Sequence, residues 1–213
     1  MRMRRKKHRE ERLEACGNIF TDVVDIKGKY IEIGCGKGDF ITELAKRNPQ
    51  NEYIAFEKNA DVALLAGEKA LKDELKNVKF CIGDARPILQ DAPEGSCLGI
   101  YINFCDPWEK EGHRKRRLTH QNFLALYRKI LVPNGEIHFK TDNRKLFQFS
   151  LNSFSECHYQ LKNISLDLHN DKFPENIVTE YEKHFSDKGF PIFRLEAFVN
   201  TPIKLNKTKA IRR

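Results

Sequence analysis

The segment Lys29-Tyr-Ile-Glu-Ile-Gly-Cys-Gly-Lys-Gly38 decides the fold, because an apolar run passes directly into a cluster of glycines. A short strand followed by a glycine-rich turn lets the backbone approach a nucleotide closely. Glycine occupies every second position of this turn, whereas the dinucleotide fingerprint G-x-G-x-x-G needs glycine where the chain has Asp39. An acid there repels a pyrophosphate at a helix N-terminus but tolerates a cationic ligand. Glu32, inside the strand, favours a cationic ligand for the same reason.

Strands and helical patterns alternate along the rest of the chain. Strands are predicted at 29–33, 53–56, 78–82, 98–104, 136–140, 159–166 and 192–199, and helices after residue 39 and at 60–75, 119–131 and 143–155. This alternation predicts an α/β fold: a Rossmann-like, seven-stranded, mostly parallel sheet with helices on both faces and an antiparallel edge. We expect one domain, with a catalytic core at 28–200, a basic N-terminal extension at 1–27 and a basic tail at 201–213.

The net charge of +8 is concentrated in three short segments. Residues 2–12, 110–117 and 204–213 carry about +5, +4 and +5, which leaves the rest of the chain acidic. Such patches on an acidic body indicate a polyanionic partner. No apolar run is long enough for a membrane span. The basic N-terminus leads into no apolar stretch, so we expect no signal peptide, and six cysteines without a C-x-x-C pair favour thiols in a reducing cytoplasm.

Acids follow the predicted strands at the positions where a nucleoside would lie. Glu57 ends the second strand, about twenty residues after the glycine turn, and its carboxylate suits two ribose hydroxyls. Asp84 ends the third strand and suits an adenine amine. With Glu32 they describe an adenosine pocket. Each of Glu57 and Asp84 also has a plain alternative as a helix cap or turn former.

The fourth strand ends in Asp106-Pro-Trp108, followed by the basic segment 110–117. A carboxylate and an aromatic ring at this tip suit a planar base, although Trp108 is alternatively a core anchor. Cations directly after the acceptor site favour phosphate contacts. His113 is a candidate phosphate or ribose contact and a weaker candidate for a general base.

Five stretches of the chain carry a family resemblance: Glu32-Ile-Gly-Cys-Gly-Lys-Gly38, Asn103-Phe-Cys-Asp-Pro-Trp108, His113-Arg-Lys-Arg-Arg-Leu118, His138-Phe-Lys-Thr-Asp-Asn143 and Thr179-Glu-Tyr-Glu182. Together they resemble the bacterial tRNA (guanine-N7)-methyltransferases, the TrmB type. The resemblance implies the class I methyltransferase fold, S-adenosylmethionine as the cofactor, tRNA as the partner and the variable-loop guanosine as the acceptor. It implies neither a metal nor a membrane, and the oligomeric state stays undetermined.

The resemblance also assigns roles by position, with Asp106 at the catalytic centre. The cofactor-binding candidates are Glu32, Gly34, Gly36, Gly38, Glu57, Asp84 and Asp106. The substrate-binding candidates are Lys110, Asp142, Thr179, Glu180, Tyr181 and Glu182. The RNA-binding candidates are Gly112, His113, Arg114, Lys115, Arg116 and Arg117. The chain departs from the family pattern at Cys105, Glu109, Glu111 and Gly112, which affects the charge and geometry of the basic segment.

Three other functions remain open. An exocyclic-amine methyltransferase also carries an acid-proline-aromatic motif at the fourth strand tip, but the usual pair of prolines is missing here. A non-catalytic RNA-binding module with a vestigial fold has no reason to keep the glycine turn and all the strand-tip acids. A small-molecule methyltransferase has little use for the basic segment beside the acceptor.

Overall fold

A computed structural model describes residues 7–22 and 24–199. Within them lie the strands β1 (Lys29–Ile33), β2 (Tyr53–Glu57), β3 (Val78–Ile82), β4 (Cys97–Asn103), β5 (Leu131–Thr141), β6 (Gln160–Ser165) and β7 (Phe193–Phe198). The helices are α1 (Arg9–Ala15), α2 (Asp39–Arg47), α3 (Ala60–Lys72), α4 (Ala85–Asp91), α5 (Gln121–Ile130), α6 (Arg144–Glu156) and α7 (Glu180–Ser186). Short 3-10 helices cover Gly17–Ile19 and Glu111–Arg116.

The strands form one sheet in the order β3-β2-β1-β4-β5-β7-β6. The first five strands are parallel to one another, and β7 pairs antiparallel with both β5 and β6. The predicted seven-stranded, mostly parallel sheet with an antiparallel edge is confirmed. Strand order reverses between β1 and β4, and in open sheets of this kind ligands bind at the carboxyl ends of the strands beside that reversal.

The central strands are apolar on both faces because helices cover both faces. Ile41 and Ala66 of α2 and α3 belong to a buried cluster on one side of the sheet. Leu124 and Phe147 of α5 and α6 belong to the larger cluster on the other side. The helices on both faces leave the carboxyl edge of the sheet as the place where polar side chains gather.

The N-terminal segment packs onto the core rather than projecting from it. Arg12 of α1 donates two hydrogen bonds to Glu68 of α3, at 2.7 and 2.8 Å, and Cys16 and Ile26 are buried. The first six residues and the basic tail predicted at 201–213 lie outside the described residues.

Three helices, α1, α4 and α7, were not among the predicted elements. Asp84 caps α4 by accepting a hydrogen bond from the backbone N–H of Arg86 at 3.0 Å. Thr179 caps α7 by accepting one from the N–H of Glu182 at 3.0 Å. All three are short, seven-residue helices, so they lack the long apolar period that reveals a helix in sequence.

Candidate active site

Two cavities open at the carboxyl edge of the sheet and share Gly34, Gly36 and Phe104. The first cavity, of about 350 Å³, lies over β2, β3 and β4 and is lined by Glu57, Asp84, Asp106 and Trp108 among others. The second cavity, of about 920 Å³, lies between the glycine turn and α7 and is lined by Glu32, Asp39, Asn103, Tyr181 and Phe185 among others. The strand-tip residues Glu32, Glu57, Asp84 and Asp106 therefore line two neighbouring cavities with a shared wall, whereas Asp142 lines neither cavity.

Glu32 lies at the centre of this edge and is 1% exposed. Its Oε1 accepts a hydrogen bond from the amide of Asn103 at 2.9 Å, while its Oε2 has no partner among the described residues. Burial raises the pKa of Glu32 to about 7. A buried carboxylate oxygen that accepts no hydrogen bond is energetically costly. Because Glu32 also lines the second cavity, this oxygen is available to a cationic or hydrogen-bonding ligand there.

The glycines of the turn have two different tasks. Gly34 and Gly36 have φ of 82° and 58°, and a Cβ at either position would project into open space, where it would fill the cavity. Gly38, also predicted to bind cofactor, lines neither cavity. A Cβ there would lie 2.7 Å from the Cβ of Ala66, so Gly38 allows α2 to pack closely on α3.

Glu57 and Asp84 border the first cavity, and each also has a local structural role. Glu57 accepts from the N–H groups of Gly36 at 3.1 Å and Asn59 at 2.8 Å, so it fixes the glycine turn from β2. Asp84 caps α4 and pairs with Lys58 at 3.0 Å. Carboxylate oxygens accept more than one hydrogen bond, so these roles leave room for ribose and adenine contacts.

Asp106 is exposed on the first cavity, in a turn of unusual backbone conformation. Phe104 and Trp108, on either side of it, have φ of 51° and 44°, in the left-handed region that non-glycine residues rarely adopt. Trp108 is half-buried and lines the cavity, so it is not a core anchor. Such a conformation persists only where surrounding contacts hold it.

Arg117 supplies those contacts. Its guanidinium donates to the carbonyl oxygens of Pro107 and Trp108, both at 3.1 Å, and lies 4.4 Å from the ring centre of Phe149. Arg117 is 9% exposed. The last cation of the basic segment, predicted to contact RNA, is therefore placed inside the protein, where it holds the turn that carries Asp106.

The other residues of the basic segment stay near the surface. Arg116 lies over the ring of Trp108 at 4.9 Å, Arg114 pairs with Glu111 at 2.9 Å, and Lys115 is exposed. Lys110 and Gly112 are exposed, and His113 meets Trp108 edge-on. This segment forms a 3-10 helix rather than an extended loop, so its cations occupy fixed positions beside Asp106.

Asp142 and Tyr181 form a second polar pair beside the acceptor side. Tyr181 lies near the Asp142 carboxylate, and it packs against Phe104 with ring centres 5.0 Å apart. Burial raises the pKa of Asp142 and, with the nearby carboxylate, raises that of Tyr181 to about 12. Neighbouring Glu180 pairs with Lys37 at 3.0 Å and so links α7 to the glycine turn.

Glu182, predicted to contact the substrate, is 0% exposed and lies on the buried face of α7. The buried ammonium of Lys140 donates to Glu182 at 2.8 Å, and also to Asn176 and the carbonyl of Ile177, both at 3.0 Å. Burial lowers the pKa of Lys140. Within Thr179–Glu182, Thr179 thus caps α7 and Glu182 fixes it to β5, and the first three of these residues line the second cavity. Sequence reasoning missed Lys140, Asn103 and Phe104.

One cluster outside the cavities has the residue types of a metal site: Glu136, His138 and Glu196. The two ring nitrogens of His138 face different carboxylates, and those carboxylates already pair with Lys162 or Arg194. The cluster is thus an ion-pair network. The expectation of no metal remains a prediction. In the described part of the chain, no helix is both long and apolar enough to cross a membrane.

Comparisons with known proteins agree with this geometry. Residues 27–195 match a family model described as a putative methyltransferase. Solved structures with similar folds include precorrin-6y C5,15-methyltransferase from Geobacter metallireducens, with a TM-score of 0.56 and 14% identity, covering 89% of each chain. A SAM-dependent methyltransferase from Aquifex aeolicus has a TM-score of 0.55 and 14% identity, covering 89% of this chain and 88% of that one. The fold and the family model define the class: this protein is a methyltransferase.

Curated relatives narrow the class further. A tRNA (guanine-N(7)-)-methyltransferase of Clostridioides difficile is 48% identical, covering 92% of this chain and 98% of that protein. One of Listeria innocua is 45% identical, with the same coverage. The chain belongs to the tRNA (guanine-N(7)-)-methyltransferase family, which confirms the resemblance carried by its five motifs.

Proposed function

We infer that this protein transfers the methyl group of S-adenosylmethionine to N7 of a guanosine in tRNA. Family membership over almost the whole chain carries this conclusion. The site supports it, because the first cavity brings Glu57 and Asp84 beside Asp106, and the second cavity adds the buried carboxylate of Glu32, which suits a cationic group. By the same resemblance, the acceptor is the variable-loop guanosine and the reaction takes place in the cytoplasm.

The residues at the carboxyl edge fit S-adenosylmethionine. The unpartnered oxygen of Glu32 suits the ammonium group of S-adenosylmethionine. The open space above Gly34 and Gly36 admits the part of the cofactor that joins its amino acid to its nucleoside. Glu57 and Asp84 would bind the ribose and the adenine. When bound, the cofactor supplies an electrophilic methyl group on a sulfonium centre.

The chemistry of the acceptor sets what the protein must do. Guanine N7 carries a lone pair and no proton, so no general base is needed and positioning governs the rate. Asp106 lies beside the shared wall of the two cavities and would hold the N1–H and amino edge of guanine. Its carboxylate would also stabilise the positive charge that develops on the ring. Asp142, beside Tyr181, would support this from the β5 side.

Recognition of the rest of the tRNA falls to the exposed cations. Lys110, Arg114 and Lys115 lie on the 3-10 helix or at its start, directly after the Asp106 turn. Cations at fixed positions contact phosphates and set the register of the RNA without reading its sequence. Arg117 acts differently, by holding the turn itself.

Methyl transfer from labelled S-adenosylmethionine to bulk unmodified tRNA, followed by nucleoside analysis, tests the proposal. A peak of 7-methylguanosine is expected. N2-methylguanosine instead would favour the exocyclic-amine alternative. Tight cofactor binding without transfer to any RNA would favour a different acceptor, and RNA binding without cofactor binding would favour the non-catalytic module.

A further inference from the structure

A row of four aromatic side chains runs from the tip of β4 to the surface beyond α7. Ring centres are 5.0 Å apart from Phe104 to Tyr181, 4.7 Å from Tyr181 to Phe185, and 6.1 Å from Phe185 to Phe190. We call these residues the aromatic row. Its inner end lies at the wall shared by the two cavities, and Phe190 forms its outer end.

Two of the four rings in the aromatic row are exposed to solvent, whereas rings in a packed core are buried. Tyr181 is 46% exposed and Phe190 is 55% exposed. Tyr181 and Phe185 also line the second cavity, so the exposed rings continue the site rather than form a separate patch. Aromatic faces that lead out of an RNA-acting site are suited to unstacked bases, because every base has a face on which a ring can stack.

The backbone holds Phe190 in place. After α7 the N–H of Gly189 donates to the carbonyl of Ser186 at 2.9 Å, and the N–H of Phe190 donates to that of Phe185 at 3.1 Å. Gly189 has a φ of 78°, which this helix ending requires. Any apolar side chain at position 190 would satisfy the accompanying contact with residue 185. The structural role therefore leaves the large exposed ring face unexplained.

We propose that Phe190 is a stacking site for an unpaired base of the tRNA, next along the strand from the guanosine that enters the cavity. This inference rests on the proposed function. The target base must leave its own stack to reach Asp106, which uncovers a face of the neighbouring base. The aromatic row gives that neighbour a new surface on a rigid support.

Three substitutions at one position separate stacking from packing. Phe190→Ala removes both, Phe190→Leu keeps the apolar contact with Phe185 but removes the ring face, and Phe190→Trp keeps a ring. We expect the KM for tRNA to rise roughly 5- to 100-fold in the alanine and leucine variants, the range for losing one base stack. The tryptophan variant should retain a KM near that of the wild type. The kcat, the S-adenosylmethionine affinity and the Tm should change little in all three.

Several results would overturn the inference. If Phe190→Leu matches the wild type in KM, the ring serves packing only. If the variants change the oligomeric state in light scattering and leave the KM for tRNA unchanged, the row is a protein interface. Wild-type activity on tRNA distinguishes the two proposals: without it the proposed function fails, whereas an active wild type with an equally active Phe190→Ala variant overturns this inference alone.

Discussion

The cofactor side and the acceptor side of the site are built differently. On the cofactor side, Glu32 and Glu57 lie in parallel strands and Asp84 follows one, and the sheet alone brings them together. On the acceptor side, the turn that carries Asp106 is held by Arg117 from a later segment, and Asp142 lies beside Tyr181 of α7. Strand order thus fixes the first set, whereas side-chain contacts between distant segments fix the second.

The largest effect should come from Asp106 itself. Replacing it with alanine removes the carboxylate that would stabilise charge on the guanine, so kcat should fall roughly 100- to 1,000-fold. Cofactor affinity should change by only a few-fold, because Glu32 and Glu57 remain. Single-turnover methylation and calorimetric cofactor binding measure the two. Glu109→Ala, an exposed neighbour, is the matched control; equal losses of both quantities in Asp106→Ala would contradict the assignment.

On the cofactor side, Glu32→Gln should reduce S-adenosylmethionine affinity roughly 10- to 100-fold at pH 8, the range for a hydrogen bond to a charged group. Cationic ligands favour the ionised carboxylate, and burial places its pKa at about 7. Wild-type affinity should therefore increase from pH 6 to pH 8, and the variant should lose this increase. If the affinity of Glu32→Gln for S-adenosylmethionine depends on pH as that of the wild type does, Glu32 does not bind the cofactor.

Glu32→Gln should lower cofactor affinity but raise the stability of the protein without cofactor. Since burial raises the pKa of Glu32 from 4.5 to about 7, its ionisation opposes folding. The stability that its protonated form allows is present below pH 4.5 and is lost as the pH rises through 7. Without cofactor, Glu32→Gln should unfold at a higher temperature than the wild type at pH 8, and the difference should vanish near pH 4. Lower stability at both pH values would contradict the burial argument.

Arg117 and Lys115 provide the sharpest contrast within one segment. Arg117→Lys keeps the charge but loses the two-pronged contact with Pro107 and Trp108, so kcat should fall about tenfold while the salt dependence of tRNA binding stays unchanged.

Lys115→Ala should give the smallest effect: a few-fold higher KM and a salt slope lower by about 1, with kcat preserved. Filter binding across salt concentrations measures the slope. A reversed pattern would place Arg117 on the RNA.

The sequence was most informative where chemistry is local. The bounds of β1 and β3, the antiparallel edge and the acids at the strand tips could all be predicted, because alternation and glycine turns depend on neighbours in the chain. The Thr-x-x-Glu pattern at 179–182 is also a helix-capping signature and could have revealed α7.

The burial of Arg117 and Glu182 could not be predicted in this way. Charged residues are mostly exposed, and only the packing of α6 and the position of Lys140 show that these two are not. The motif assigned them to ligands, whereas the structure gives them partners within the protein. Residues of one motif can therefore serve the same reaction by different physical means.

The most direct test replaces the acceptor atom. We would compare methyl transfer to a tRNA transcript containing guanosine with transfer to one containing 7-deazaguanosine, which lacks only N7 as an acceptor and keeps the exocyclic amine. Methylation of the first transcript and none of the second is the predicted result. Equal methylation of both would contradict N7 transfer and show that the site at Asp106 presents the amine instead.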